Sequence, residues 1–281
     1  MIRVGISSVC YRNTPAETII ASTCAAGLAG IEWSADTHAP HGDIQRAETL
    51  MMATLRAGLT VSAYGSFYRL GMNVDQAASF DAVLQSARRL QAPVIRIWAT
   101  TDPARRNAIR KKTAHHGTVG VDASPQPATS GKLVDQARAL ADIVGKFGIT
   151  LCLEPHDSSL IPDYASLESL VIETAHPFFK ACWTPLNSFA TVSVRASVEK
   201  MAPLVSLVHF RAGRLLGETD PVQHESPCLA MLDILVEKER GSNLDRWALI
   251  EFLEDDSPHT LANHARRLLD RIQPSKRPAT T

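Results

Sequence analysis

Short apolar runs of β character alternate with helix-length amphipathic segments from one end of the chain to the other. The runs are VGISSVCY (4–11), GIEWSAD (30–36), LTVSAYGSFY (59–68), PVIRIWA (93–99), ITLCLEPH (149–156), KACWTPL (180–186), LVSLVHF (204–210) and WALIEFLE (247–254). Between them, AETIIASTCAAG, SFDAVLQSARRLQ, LVDQARALADIVGKFG and TLANHARRLLDRI repeat their apolar residues with a period of about 3.6. Gly27, Gly58 and Gly148 each stand between a helical segment and the next run, where a helix is expected to stop. Strict alternation predicts parallel β/α units. Over 281 residues the fold class is then α/β, a closed (β/α)8 TIM barrel rather than an open doubly wound sheet. No Gly-x-Gly-x-x-Gly follows the first run, so the nucleotide-binding open sheet lacks its signature. One domain is expected over 1–272, with a long loop at 100–130 after the fourth strand and a flexible tail at 273–281.

Composition narrows the partners. The 29 basic and 29 acidic side chains cancel, which gives no reason to expect nucleic acid or a membrane surface. The opening MIRVGISSVCY has too short an apolar run for a signal peptide, and no later run approaches a membrane span. Five scattered cysteines without a Cys-x-x-Cys pair read as free thiols in a reducing compartment, so a cytoplasmic location is expected.

In such a barrel the chemistry sits at the C-terminal ends of the strands, on the side chains that alternate inward. Thr150, Cys152 and Glu154 share one face of the fifth strand, Val205, Leu207 and His209 one of the seventh, and Leu249 and Glu251 one of the eighth. Glu154, His209 and Glu251 are thereby delivered to one end of the interior. Two carboxylates and an imidazole converging there need compensation for their burial. A divalent cation that accepts oxygen and nitrogen ligands would supply it, among Mn²⁺, Mg²⁺, Co²⁺, Fe²⁺ and Zn²⁺. The competing reading has each acid paired with a neighbouring Arg or Lys and His209 as a satisfied core histidine.

Other groups fall near the mouth. Asp36, His38, His41 and Asp43 in DTHAPHGD have a spacing that could bind a metal but are read as a polar loop over the barrel, with His38 a substrate-contact candidate. Arg96 and Trp98 are placed outward by parity, although strand ends twist and either could reach the mouth. Trp33, Trp98 and Trp183 lie near strand ends, as packing or as an apolar wall against substrate carbons, with Trp183 the binding candidate. His156 stands just past the fifth strand and can contact substrate. Arg211 and Arg214 follow the seventh strand, better placed to meet an anionic substrate than the solvated run ARRNAIRKK (104–112).

Taken in order, LCLEPHDSSLIPDYASLESLV, CWTPLNS, LVHFRAGRLLGE and ALIEFLEDDSP, with GIEWSADTHAPHGD and VSAYGSFYRLG before them, resemble the xylose-isomerase-like TIM-barrel superfamily. This is the sugar phosphate isomerase/epimerase group, which also holds endonuclease IV and proteins like AP endonuclease 2. The resemblance spans residues 4 to 270. It implies a divalent metal, Mn²⁺ foremost with Mg²⁺, Co²⁺ or Zn²⁺ as alternatives, held by a Glu, an Asp, a His and a Glu from strands five to eight. Glu154, His209 and Glu251 match three of these positions. At the fourth, Trp183-Thr184-Pro185 puts Thr184 where the family has Asp, and Asn187 stands where a substrate-binding His is common. The implied activity is isomerisation or epimerisation of a sugar-like polyol or keto compound. It would proceed by proton transfer beside a carbonyl through a metal-bound enediolate, with Glu154 and Glu251 as base and acid. The alternative is a metal-free or metal-degenerate lyase, dehydratase or cyclase, or a binding barrel. An endonuclease is disfavoured by the neutral charge and the missing strand-six acid. The group's habit of forming dimers implies a homodimer.

Overall fold

The computed structural model describes residues 1–71, 80–103, 131–186, 199–211, 227–239 and 245–272. Eight parallel strands close on themselves in sequential order, β1 pairing with both β2 and β8. They are β1 (Ile2–Ser7), β2 (Gly30–Ser34), β3 (Thr60–Leu70), β4 (Val94–Ala99), β5 (Thr150–Glu154), β6 (Phe179–Trp183), β7 (Val205–Arg211) and β8 (Arg246–Glu251). Around them lie α1 (Ala16–Ala25), α2 (Ile44–Arg56), α3 (Phe80–Arg89), α4 (Gly131–Gly145), α5 (Tyr164–Thr174), α6 (Pro227–Glu239) and α7 (Pro258–Ile272). The (β/α)8 barrel expected from the alternation is the fold. Gly27, Gly58 and Gly148 do follow helices, at φ 69°, 77° and 68°, a left-handed region that favours glycine. Most of the 100–130 loop and the whole 273–281 tail lie outside the described residues. Among the described residues no helix is long and apolar enough to cross a membrane.

Two apolar layers leave one polar end. Outward strand residues such as Ile31, Ile95, Ile97, Leu151, Leu153, Val208, Phe210 and Ile250 pack with the helices in the main core. Inward, Ala63, Val94, Cys152, Cys182, Leu207, Trp247 and Leu249 form a separate plug. Room for it comes from β1 and β2. A Cβ on Gly5 would stand 2.9 Å from the Leu249 side chain, and one on Gly30 would stand 2.8 Å from the Trp247 ring. With the interior filled by side chains, the inward acids Glu32, Glu154 and Glu251 gather at its C-terminal mouth. On β7 one residue departs from the expected parity. A register shift where β6 meets β7 turns Val205 to the helical core, while Leu207 and His209 keep the inward face.

Candidate active site at the barrel mouth

Glu154, His209 and Glu251 do meet. The His209 Nδ1 lies 3.8 Å from Glu154 Oε1 and 3.5 Å from Glu251 Oε1, and all three side chains are buried. What holds them is Glu32, which the pattern reading left out, together with Arg96 and Trp98, which it placed outward. Glu32 on β2 is fully buried; its Oε1 accepts from Ser7 Oγ at 2.8 Å and its Oε2 lies 3.1 Å from His209 Nε2. Arg96 on β4 reaches both acids. Its Nη1 donates to Glu154 Oε2 at 2.9 Å, and its Nη2 lies 3.6 Å from Glu32 Oε1. Trp98 Nε1 donates to the same Glu154 oxygen at 2.7 Å. The glycine at 65 makes the space, since a Cβ there would stand 2.7 Å from Arg96 Nη2 and 3.0 Å from Glu32 Oε1.

Electrostatics follow from this geometry. Burial raises the Glu32 pKa, but His209 and Arg96 outweigh it and hold the carboxyl at about 2. Glu154 is likewise pushed up by burial and pulled down further by Arg96 and His209, ending well below the carboxylate range. Both are carboxylates at neutral pH. Burial lowers the His209 pKa, whereas Cys182, Glu32 and Glu251 together raise it well above its ordinary value. An ionised Glu32 can only accept, so His209 Nε2 carries a hydrogen toward it. Nδ1, a buried atom without a hydrogen bond, is directed at Glu154 and Glu251; the raised pKa keeps a proton on it, and a cation bound there would have to displace that proton.

The donor set suits a divalent cation. Ligands held at about 2.0–2.2 Å with angles of about 90–120° stand about 2.8–3.8 Å from one another, which is the spacing of Nδ1 from both carboxylate oxygens. Two more buried oxygens near the ends of β6 and β8, Thr184 Oγ1 and Glu251 Oε2, also lack partners. Three acidic side chains face one permanent cation, Arg96, and one imidazole, so negative charge is in excess. Among the described residues, the three candidate ligand atoms that all lie within 4.8 Å of one another belong to Glu154, Cys182 and His209, with Glu251 reaching the group through His209. Burial pushes the Cys182 thiol well up, so an oxygen and nitrogen set is favoured over a thiolate.

No family model and no curated protein sequence matches the chain. Solved structures do. A 3-keto-D-glucoside 4-epimerase from E. coli superposes with TM-score 0.66 at 14% identity, covering 98% of this chain and 100% of its own. A probable 3-DHS dehydratase of petrobactin synthesis from Bacillus anthracis gives 0.65 at 16%, covering 96% and 100%. A xylose isomerase-like TIM barrel protein from Mycobacterium smegmatis in complex with magnesium gives 0.63 at 14%, covering 96% of each. The chain has the xylose isomerase-like TIM-barrel fold.

Within this fold the remaining candidates separate. Trp183 faces the helices, fully buried and stacked on Tyr164 at 6.0 Å, so the expected substrate contact is corrected to core packing. His38 is buried against Trp33, with Nε2 3.2 Å from the Thr14 carbonyl, and does not join the cluster; it too is corrected. Its neighbours in DTHAPHGD are also structural. Asp36 pairs with Arg12, His41 bonds the Ser66 carbonyl, and Asp43 caps α2 by accepting from Arg46 N at 3.0 Å. Arg96 and Trp98, expected outward, face inward. His156 stands exposed at the rim beside Trp98, with ring centroids 6.0 Å apart. Arg211 ends β7 over Phe252, its Nε buried without a partner. Thr184 is buried at the strand-six position. Asn187 and Arg214 lie outside the described residues.

Glu32 and Arg96 were within reach of the sequence. In GIEWS the apolar Ile31 and Trp33 claim the helical side and leave Glu32 inward, and Ile95 and Ile97 in PVIRIWA do the same for Arg96.

Proposed function

We propose that the barrel mouth is the active site of an enzyme that moves a proton beside a carbonyl of a sugar-like polyol or keto compound, as an isomerase or epimerase. Glu154, His209 and Glu251 would hold a divalent cation there, with Mn²⁺ or Mg²⁺ the ions best suited to the oxygen-rich set. The carrying observation is His209. Its Nε2 is clamped by Glu32 at 3.1 Å, while its Nδ1, without a hydrogen bond, sits at ligand spacing from two carboxylate oxygens. A carboxylate that orients a ligating imidazole in this way is a common feature of metal sites. When bound, the cation supplies Lewis acidity that stabilises charge developing on a substrate oxygen.

The chain's own residues divide the remaining work. Glu154 has one oxygen occupied by Arg96 and Trp98, so it offers a single ionised oxygen to the site. Glu251 keeps Oε2 without a partner and is the group placed to take up and return a proton. Return by Glu251 to the neighbouring carbon would be isomerisation, whereas epimerisation would need the second carboxylate, Glu154, to deliver a proton to the opposite face of the same carbon. Departure of a β-hydroxyl instead would make the enzyme a dehydratase. A cytoplasmic setting accords with the free thiols of Cys10, Cys24, Cys152 and Cys182. The homodimer and the small-molecule partner belong to the same reading, on the resemblance.

Arg96 supports a second reading. A guanidinium already bridging Glu32 and Glu154 gives the mouth a permanent cation, and Thr184 offers only a neutral hydroxyl where the family pattern has an acid. The barrel would then work without metal, as a lyase, a cyclase or a binding protein. Mn²⁺ titration of purified protein separates the two. One ion per chain is expected, and Glu251→Gln or Glu154→Gln should weaken binding beyond the roughly 100-fold that changes around a ligand cost. A wild-type protein that takes up no ion at millimolar Mn²⁺ would favour the metal-free reading.

A further inference from the structure

Above the mouth, β3 and β4 are not a regular pair. They are in register at Gly65↔Arg96 and next at Arg69↔Trp98, so β3 spends two extra residues between pairings. The excess is taken up at Phe67, whose φ of 56° is a costly left-handed conformation for an aromatic residue. Bulges of this kind re-aim side chains next to active sites. Here the bulge sets Arg69 beside Trp98, with its guanidinium carbon 5.2 Å from the ring centroid. Tyr68 and Leu70 on either side are buried, so Arg69 takes the opposite face of the strand.

Trp98 therefore meets two guanidiniums, and they differ. Arg96, at 5.1 Å from the ring, carries two carboxylates. Arg69 has no acidic partner among the described residues, and its one hydrogen bond is a long 3.4 Å contact to Thr101 Oγ1. Burial lowers its pKa with no carboxylate to offset the cost. A half-buried cation left uncompensated at an open mouth is unfavourable by itself and favourable once an anion arrives. His156 adds a second donor on the same indole. Its Nδ1 accepts from the Ser158 backbone N–H at 3.3 Å, so in the neutral ring the hydrogen lies on Nε2. The path from Arg69 to the reacting groups is one residue long, because Trp98 Nε1 donates to Glu154.

We propose that Arg69 and His156, both packed beside Trp98, form an anion-binding subsite, and that the substrate of this barrel carries a carboxylate or phosphate group that docks there. The inference rests on the active-site reading above for the word substrate, and on rim geometry alone for the anion. It narrows the substrate class from neutral sugars to sugar acids, keto acids or sugar phosphates.

Metal-stripped protein titrated with inorganic phosphate, with acetate and with glycerol at low ionic strength tests it, followed by calorimetry and indole fluorescence. Saturable binding of at least one anion at one site per chain is expected, with none for glycerol. Phosphate alone, acetate alone or both then identifies which anionic group the subsite takes. Arg69→Met should weaken anion binding by about tenfold or more, and Arg69→Lys, which keeps charge but loses the fork, by less. Arg138→Met on α4 should change nothing. Mn²⁺ binding, measured in parallel, should be the same in Arg69→Met as in the wild type. Failure of Mn²⁺ to bind the wild type, with anion binding still lost in Arg69→Met, would remove the metal and leave the subsite standing. Equal anion affinity in wild type and Arg69→Met, or no saturable anion binding by the wild type, overturns the proposal.

Discussion

Replacing Arg96 by methionine is expected to destabilise the barrel by about 3–5 kcal/mol at neutral pH, the cost of leaving buried charge without its partner. The side chain is almost entirely enclosed and serves two acids at once, at 2.9 Å from Glu154 and 3.6 Å from Glu32. Methionine fills much of the volume but offers no positive charge, so both carboxylates would be stranded. The loss should also depend on pH with a definite sign. In the folded wild type Glu32 titrates at about 2, against an ordinary value of 4.5. A carboxyl depressed in this way contributes stability above about pH 4.5 and loses that contribution as pH falls toward 2. In Arg96→Met, burial without the guanidinium raises the acids, which then take up protons at higher pH and relieve the stranded charge. The stability difference between the two proteins should therefore be widest at neutral pH and narrow on acidification, which urea unfolding at several pH values would measure. A difference that is constant from pH 7 to pH 4 would mean that Arg96 acts through packing rather than charge.

Glu32→Gln is the second large effect, read in metal affinity. The amide can still accept from His209 Nε2, but it removes the negative charge that makes the imidazole a better ligand and that balances Arg96. Mn²⁺ affinity should fall about 10–100-fold by calorimetric titration, although Glu32 is not placed among the ligands. Unchanged affinity would show that the Glu32–His209 contact is structural only. Because the variant also loses part of its pairing with Arg96, its folding should be checked by thermal melting before the titration is interpreted.

How much of this was legible beforehand follows from how barrels place side chains. The period-2 alternation in TLCLE and ALIE puts the apolar residues on the helices, so Glu154 and Glu251 had to face inward, and the strand ends fixed which end they occupy. The same rule reaches Glu32 in GIEWS and Arg96 in VIRIW, where the flanking apolar residues take the helical side. Glu154 and Glu251 stand at strand ends, whereas a cation inside a barrel is accounted for only by its two acidic partners, which no sequence spacing links to Arg96. Trp183 and His38 failed for a different reason. Large amphipathic side chains at strand ends satisfy either a cavity or the helical layer, and only contacts such as Tyr164 on Trp183 and Trp33 on His38 decide between them. The Phe67 bulge had no signal in the pattern, since a left-handed residue without glycine or asparagine leaves no trace in the sequence. Arg69, two residues on, was hidden with it.

The account turns on three side chains acting as one ligand set, and anomalous scattering from crystals grown with Mn²⁺ addresses that most directly. A single strong peak at about 2.0–2.2 Å from His209 Nδ1 and from an oxygen of both Glu154 and Glu251 is the predicted result. A mouth without manganese, in which His209 Nδ1 donates to Glu251 and Arg96 alone balances the acids, would contradict it.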